Sequence, residues 1–145
     1  MTVGKRTDPY FGFNFLVEVD GIIVGGFSEV SGIQVEIEVH DYREGGRNEY
    51  IHKLPGPTRY ASNLILKRGM TDSDLLWIWH EFVTFGIIVR INGSILLLDA
   101  AGREKWRWNF FDAYPVKWTG PQLRADSNSV AVETLELVHR GIHKA

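Results

Sequence analysis

The sequence predicts a mainly β protein: an antiparallel β-barrel or two packed sheets, with one flanking α-helix over about 72–85. Three observations predict it. Residues 33–40 read Ile-Gln-Val-Glu-Ile-Glu-Val-His, and apolar–polar alternation at period two marks a strand with two unlike faces. Similar stretches recur along the chain, separated by glycine-bearing turns such as Asp20-Gly21 and Asp99-Ala100-Ala101-Gly102. One segment only, after Thr71, carries apolar residues at helical spacing.

Taken in order, residues 1–9 read as a flexible arm. Phe11, Phe13, Phe15, Val17 and Val19 then share one face of a strand over 11–19. Asp20-Gly21 is a two-residue hairpin signal, because glycine accepts positive φ without strain. The return strand covers 22–30, with Gly25-Gly26 marking a bulge or a close backbone approach. Ser31-Gly32 turns into the alternating strand over 33–42, which makes a three-stranded meander. Residues about 43–58 break all periodicity and read as a long loop, a length that in a compact domain goes with function. A strand over about 59–68 follows.

Thr71-Asp72-Ser73-Asp74 supplies a capping side chain and acids for a helix start, and Gly86 a stop. Between them Leu75, Leu76, Trp79, Phe82 and Val83 form the apolar face, and Trp77, His80, Glu81 and Thr84 lie opposite. Residues 87–98 and 103–111 form a second hairpin, with Trp106, Trp108 and Phe110 on one face and Lys105, Arg107 and Asn109 on the other. Residues 112–129 contain Pro115, Gly120 and Pro121 and read as an irregular strand plus loop; a last strand runs over 130–139. Stretches such as 64–66, 87–89 and 95–98 are apolar on both faces. That is more buried-strand character than one closed core requires, and it points to partner surfaces, with a doubly covered central strand as the alternative.

The 145 residues make one domain, long enough to bury a core, and the net charge of −2 gives no general reason to bind nucleic acid. The absence of cysteine removes disulfide and thiolate chemistry. The first residues lack the apolar core of a signal peptide, and no apolar run approaches the roughly 20 residues that span a bilayer. The expectation is cytoplasmic assembly, without membrane insertion by the chain itself.

No enzyme set is legible. His139 and His143 have a metal-like i, i+4 spacing, but they sit past a strand and read as solvated tail residues. Glu36 and Glu38 share a strand face without a substrate cleft. Ser28 and Ser31 lack a nucleophile elbow, and Gly45, Gly46 and Gly56 lack the strand–loop–helix frame of a phosphate cradle. The interleaved Arg103-Glu104-Lys105-Trp106-Arg107-Trp108 is explained by strand alternation rather than by a stacking platform for single-stranded nucleic acid. Trp77 reads either as a helix edge tucked on the sheet or as an exposed anchor for a partner. No cofactor or metal is called for.

Several pieces nevertheless occur in a telling order. They include Asp8-Pro9-Tyr10, Phe13-x-Phe15-x-Val17-Glu18-Val19-Asp20-Gly21, Gly26-Phe27-Ser28-Glu29-Val30-Ser31-Gly32 and Tyr42-Arg43-Glu44-Gly45-Gly46. Leu54-Pro55-Gly56, Leu66-Lys67-Arg68-Gly69, Asp74-x-x-Trp77-x-Trp79 and Trp108-x-Phe110 follow. Ala113-Tyr114-Pro115-Val116-Lys117-Trp118 and the run from Val130 to Gly141 close the series. In this combination the chain resembles the inner tube (tail tube) protein of contractile phage tails and contractile injection systems, the family typified by T4-like phages. Arg140 departs from the pattern, which has an acid before the glycine.

The resemblance implies a structural protein and a single tail-tube domain over 1–145. Homohexameric rings would stack into a hollow tube inside a sheath and conduct cargo, DNA or a protein effector, after contraction. Gln34, Glu36, Glu38 and His40 would then line the lumen. Tyr10, Arg43, Glu44, Arg47, Glu49 and Lys53 would contact the adjacent ring. Trp77, His80 and Glu81 on the outer helix would face the sheath protein. A tube-initiator protein joining tube to baseplate, or the related secretion-system tube, fits the same residues. Outside the family, a monomeric ligand-binding β-barrel is the rival.

Overall fold

The structure, a computed structural model, describes residues 12, 14–24, 26–42, 51–126 and 128–145. Its strands are β1 (Phe15–Val19), β2 (Ile22–Val24), β3 (Phe27–Ser31), β4 (Glu36–Tyr42), β5 (His52–Arg59) and β6 (Leu64–Gly69). After the helix α1 (Leu75–Thr84) come β7 (Ile91–Leu98), β8 (Glu104–Thr119), β9 (Val132–Val138) and β10 (Gly141–Lys144). All pairing is antiparallel, and no helix is long and apolar enough to cross a membrane.

Seven strands follow one path, β2-β1-β7-β8-β9-β6-β3, and an eighth, β10, pairs with β8 off that path. The path folds over at β8, a 16-residue strand that serves two sheets. Its first half pairs with β7 and β10 and its second half with β9. The change of sheet comes at Asp112, which has φ +52° and whose N–H donates to Asn92 Oδ1. Two facing sheets result. The ends of the path, β2 and β3, do not pair with each other, so these are packed sheets rather than a closed barrel.

Alternation sets what lies between the sheets. Leu64 and Leu66 on β6 stand beside Leu137 and Leu135 on β9. They meet Ile91, Ile95, Phe110, Ala113 and Ile142 from the other sheet, and α1 adds Leu76. Gly93 is part of this fit: a Cβ there would lie 2.3 Å from Phe110 Cζ. The rows from β6 and β9 end on a buried ion pair, Arg68 Nε to Glu133 Oε1 at 2.7 Å.

The first hairpin forms as predicted, with Asp20 and Gly21 at φ +51° and +77°, the two positive angles of a type I′ turn. The meander stops there. At Gly26, φ +84°, the chain leaves β1, and β3 pairs with β6 instead. Gly32, at φ +88°, lets the chain pass so close to β6 that a Cβ would overlap the Asn63 carbonyl. Strand β4 therefore has no partner in either main sheet; it pairs only with β5.

Two readings need correction, and a third gains its boundary. The long loop is shorter than 43–58, because residues 52–59 are strand β5. Pro55, Gly56 and Pro57 look like loop, but a ribbon edge tolerates missing N–H groups, and the register shift opposite Ile37–Val39 absorbs the extra residue. The irregular strand expected after residue 111 is the second half of β8, which runs on to Thr119 with a register shift at Pro115. Beyond residue 139 lies not a solvated tail but β10, paired to β8 with His143 opposite Asn109.

Candidate functional site

The residues expected to line the lumen and to meet partners lie mostly on surfaces that the described residues leave uncovered. On the β4–β5 ribbon, Gln34, Glu36, Glu38 and His40 share one side, with only Glu38 half-buried. Gln34 lies between Ser62 and Glu36, accepting a hydrogen bond from the Ser62 hydroxyl. His40 lies over Gly56, where a Cβ would come within 2.6 Å of its Nε2. Glycine is therefore the slot that keeps His40 flat on the ribbon. The other side carries Val35, Ile37 and Val39, and this apolar side is open too: Ile37 keeps 60% of its surface exposed. Sequence alternation identified the two faces but not that the apolar one lacks a cover among the described residues.

Of the residues expected to meet a neighbouring ring, Tyr10, Arg43, Glu44, Arg47 and Glu49 lie outside the described residues. Lys53 is described: it stands opposite Asp41 and its Nζ is 2.6 Å from Asp41 Oδ1.

The helix has three sides rather than two. Leu76 is buried against the core, and Trp79 packs beside it with its indole N–H donating to the Val89 carbonyl. Trp77, 43% exposed, sits on one flank with its ring edge-on to Trp118 at 4.9 Å. His80 and Glu81 are half-buried, and His80 Nδ1 has no hydrogen-bond partner among the described residues. Leu75, Ile78, Phe82 and Phe85 occupy the remaining side and are exposed, Phe85 at 71%. Leu75 and Phe82, expected inward, thus face out. Spacing places residues around a helix but does not say which 100° of the circle the sheet covers.

Polar chemistry elsewhere is local. Arg107 bridges Glu104 and Glu18, with 2.6 Å contacts to each, and these carboxylates raise its pKa well above the usual value. Asp99 accepts the Ala101 and Arg103 N–H groups, and the Arg103 N–H in particular holds its carboxyl below the ordinary range. His139 lines an open hollow of about 400 Å³ with Arg90, Asp112, Tyr114, Val138 and Arg140. Burial lowers its pKa; the Ser62 and Gly141 backbones oppose the shift from positions too poor for a hydrogen bond. Among the described residues, no group of three His, Asp or Glu is placed to hold a metal. An apolar cleft of about 310 Å³ opens between Phe15, Val30, Ile33, Ile95, Leu97 and Trp108. It lies at the lower end of ligand-pocket size.

Comparison with solved structures places this architecture. A chain of the anti-feeding prophage baseplate, solved with six-fold symmetry, is 28% identical with TM-score 0.85, over 97% of this chain and 97% of that one. A chain of the PVC extracellular contractile injection system, from its extended sheath–tube complex, is 26% identical with TM-score 0.84, over 94% and 91%. One from the PVC sheath/tube terminator is 25% identical with TM-score 0.88, over 97% and 99%. No match is found among the curated proteins. The model of the T4-like virus tail tube protein gp19 matches residues 12–143, nearly the whole chain and every strand of both sheets. With the family model and the fold of these structures in agreement, this chain belongs to the T4-like virus tail tube protein family.

Proposed function

We propose that this chain is the inner-tube subunit of a contractile phage tail or injection particle. Six copies close a ring, rings stack into a hollow tube, and the tube conducts DNA or a protein effector after the sheath contracts. The role is structural, not catalytic. The observation that carries the reading is apolar surface left open on a well-packed body: the ribbon's Val35, Ile37 and Val39, the outer stripe of α1, and Ile22 and Ile23 on edge strand β2. A lone chain with such faces and an open edge invites association, and a closed ring removes both liabilities. The six-fold symmetry of the similar baseplate assembly supports six as the number.

Within the tube, Gln34, Glu36, Glu38 and His40 line the lumen. Six acidic strand faces repel anionic cargo, which then slides rather than sticks. The arm bearing Tyr10, together with Arg43, Glu44, Arg47 and Glu49, makes ring-to-ring contacts. Lys53, bonded to Asp41, keeps further ammonium N–H donors and joins them without giving that pair up. Trp77, His80 and Glu81, on the flank of α1, are the contact to the sheath.

Likeness to a chain of a baseplate assembly favours a second reading, the tube-initiator that joins the first ring to the baseplate. Negative-stain microscopy of the pure protein decides. Long tubes from this chain alone support the main subunit, and single rings that never elongate support the initiator. A monomer at high concentration, beside baseplate partners as well, would sink both.

A further inference from the structure

Two apolar faces on separate elements have no cover among the described residues of their own chain. On the ribbon they are Val35, Ile37 and Val39, with Pro55 beside Val39 across the strand pair. On α1 they are Leu75, Ile78, Phe82 and Phe85, whose spacings of three, four and three residues make a continuous stripe. The helix rests on β8, and the ribbon pairs with neither main sheet, so neither face closes the other within one copy. We infer that the ribbon's apolar face on one copy covers the α1 stripe of a second copy. This rests on the ring reading above and deepens it by naming which two surfaces meet.

Three observations select this pairing. A two-stranded ribbon is marginal alone, so its order in a stable particle requires a surface to pack on. A chain bearing one flat and one ridged apolar face on different elements has what a head-to-tail contact needs, and such contacts close into rings. In size each face is smaller than the roughly 800 Å² that each partner gives to a standard interface, so the two make one part of a larger ring contact. Finally, the ribbon's apolar side carries no open charge into the contact, since Asp41 and Lys53 on that side neutralise each other. Its opposite side would bury Glu36. The isoleucines of β2 compete poorly, because Ile22 and Ile23 are consecutive on a strand and point to opposite faces.

The chain has no cysteine, which makes crosslinking a direct test. Particles assembled from a Val39→Cys/Ile78→Cys variant are oxidised and run on a non-reducing gel. A ladder of covalent multimers reaching the ring number is expected. Mixing the two single variants should give dimers and nothing larger. A Val39→Cys/Ile23→Cys control should give no ladder. Ile37→Cys/Phe82→Cys is an independent pair, so poor assembly of one variant does not remove the test. A ladder from the control alone, a fast-running intrachain band, or intact rings without a crosslink in either pair overturns the pairing and leaves the tube standing. Absence of rings from the unmodified protein overturns both.

Discussion

Arg68 and Glu133 face each other across β6 and β9 with almost no solvent access, Glu133 keeping 2% of its surface. Arg68 also reaches the Ser73 carbonyl at 3.4 Å and lies over the Phe27 ring, so one guanidinium joins β9, the approach to α1 and β3. Removing one partner strands a buried charge. Glu133→Gln should cost about 3–5 kcal/mol in denaturant unfolding, whereas Arg68→Met/Glu133→Leu should return close to the parent stability. Equal losses in both would show that the pair contributes something other than mutual neutralisation. His139 gives the second residue-scale prediction. Its folded pKa lies below the ordinary value of 6.5, so near and below that pH the unfolded chain binds the extra proton, and stability rises with pH. The thermal midpoint should fall from about pH 7.5 to about pH 5, with loss accumulating as pH drops through the unfolded value. His139→Phe, which keeps a ring against Tyr60, should flatten part of that fall. An unchanged slope would place the titration elsewhere than on His139.

At the scale of elements, α1 shows how a stop signal in the sequence becomes geometry. Gly86 has φ +83°; its N–H donates to the Val83 carbonyl, and the Ile87 N–H to the Phe82 carbonyl. These two bonds are the Schellman pattern that satisfies the last carbonyls of a helix. Gly86→Ala should lower stability by about 1 kcal/mol, because the same turn then requires a Cβ in the left-handed region. Open space around Gly86 means that no steric clash contributes, so a much larger loss would contradict this account. The helix start was less legible. Asp74 sits at the N-cap without a side-chain capping bond, while the Thr71 hydroxyl accepts the Ser73 N–H one turn early. The four polar residues announced a start, but α1 begins at Leu75, where contact with β8 takes hold.

For the whole molecule, the decisive property is the separation between the residues that form the core and the exposed apolar faces proposed to join subunits. The central cluster uses Leu64, Leu66, Phe110, Leu135 and Leu137, none of which is exposed. The ribbon and the helix stripe lie outside it. Ile37→Ser/Val39→Ser should therefore leave the thermal midpoint of the unassembled subunit nearly unchanged. The same variant should abolish rings in electron micrographs and shift the protein to monomer in size-exclusion chromatography. Collapse of the monomer itself would mean that the ribbon belongs to the folding core.

The period-two pattern of 33–40, the Asp20-Gly21 and Asp99–Gly102 turns and the apolar spacing after Leu75 were enough to determine a mainly β chain with one helix. Each is a local signal, written in side-chain order and backbone permissiveness. The ordered motifs, taken together, were enough to place it in the tail-tube family. Only the tertiary structure decided that β3 leaves the first hairpin for β6, that Pro55-Gly56-Pro57 is strand, and that β8 runs unbroken through Pro115 into the second sheet. It also decided that Leu75 and Phe82 point outward while Leu76 carries the helix. Those outcomes depend on which surface another part of the chain happens to cover. Burial is a relation between distant residues, and alternation along a strand records that two faces differ without recording what lies against either.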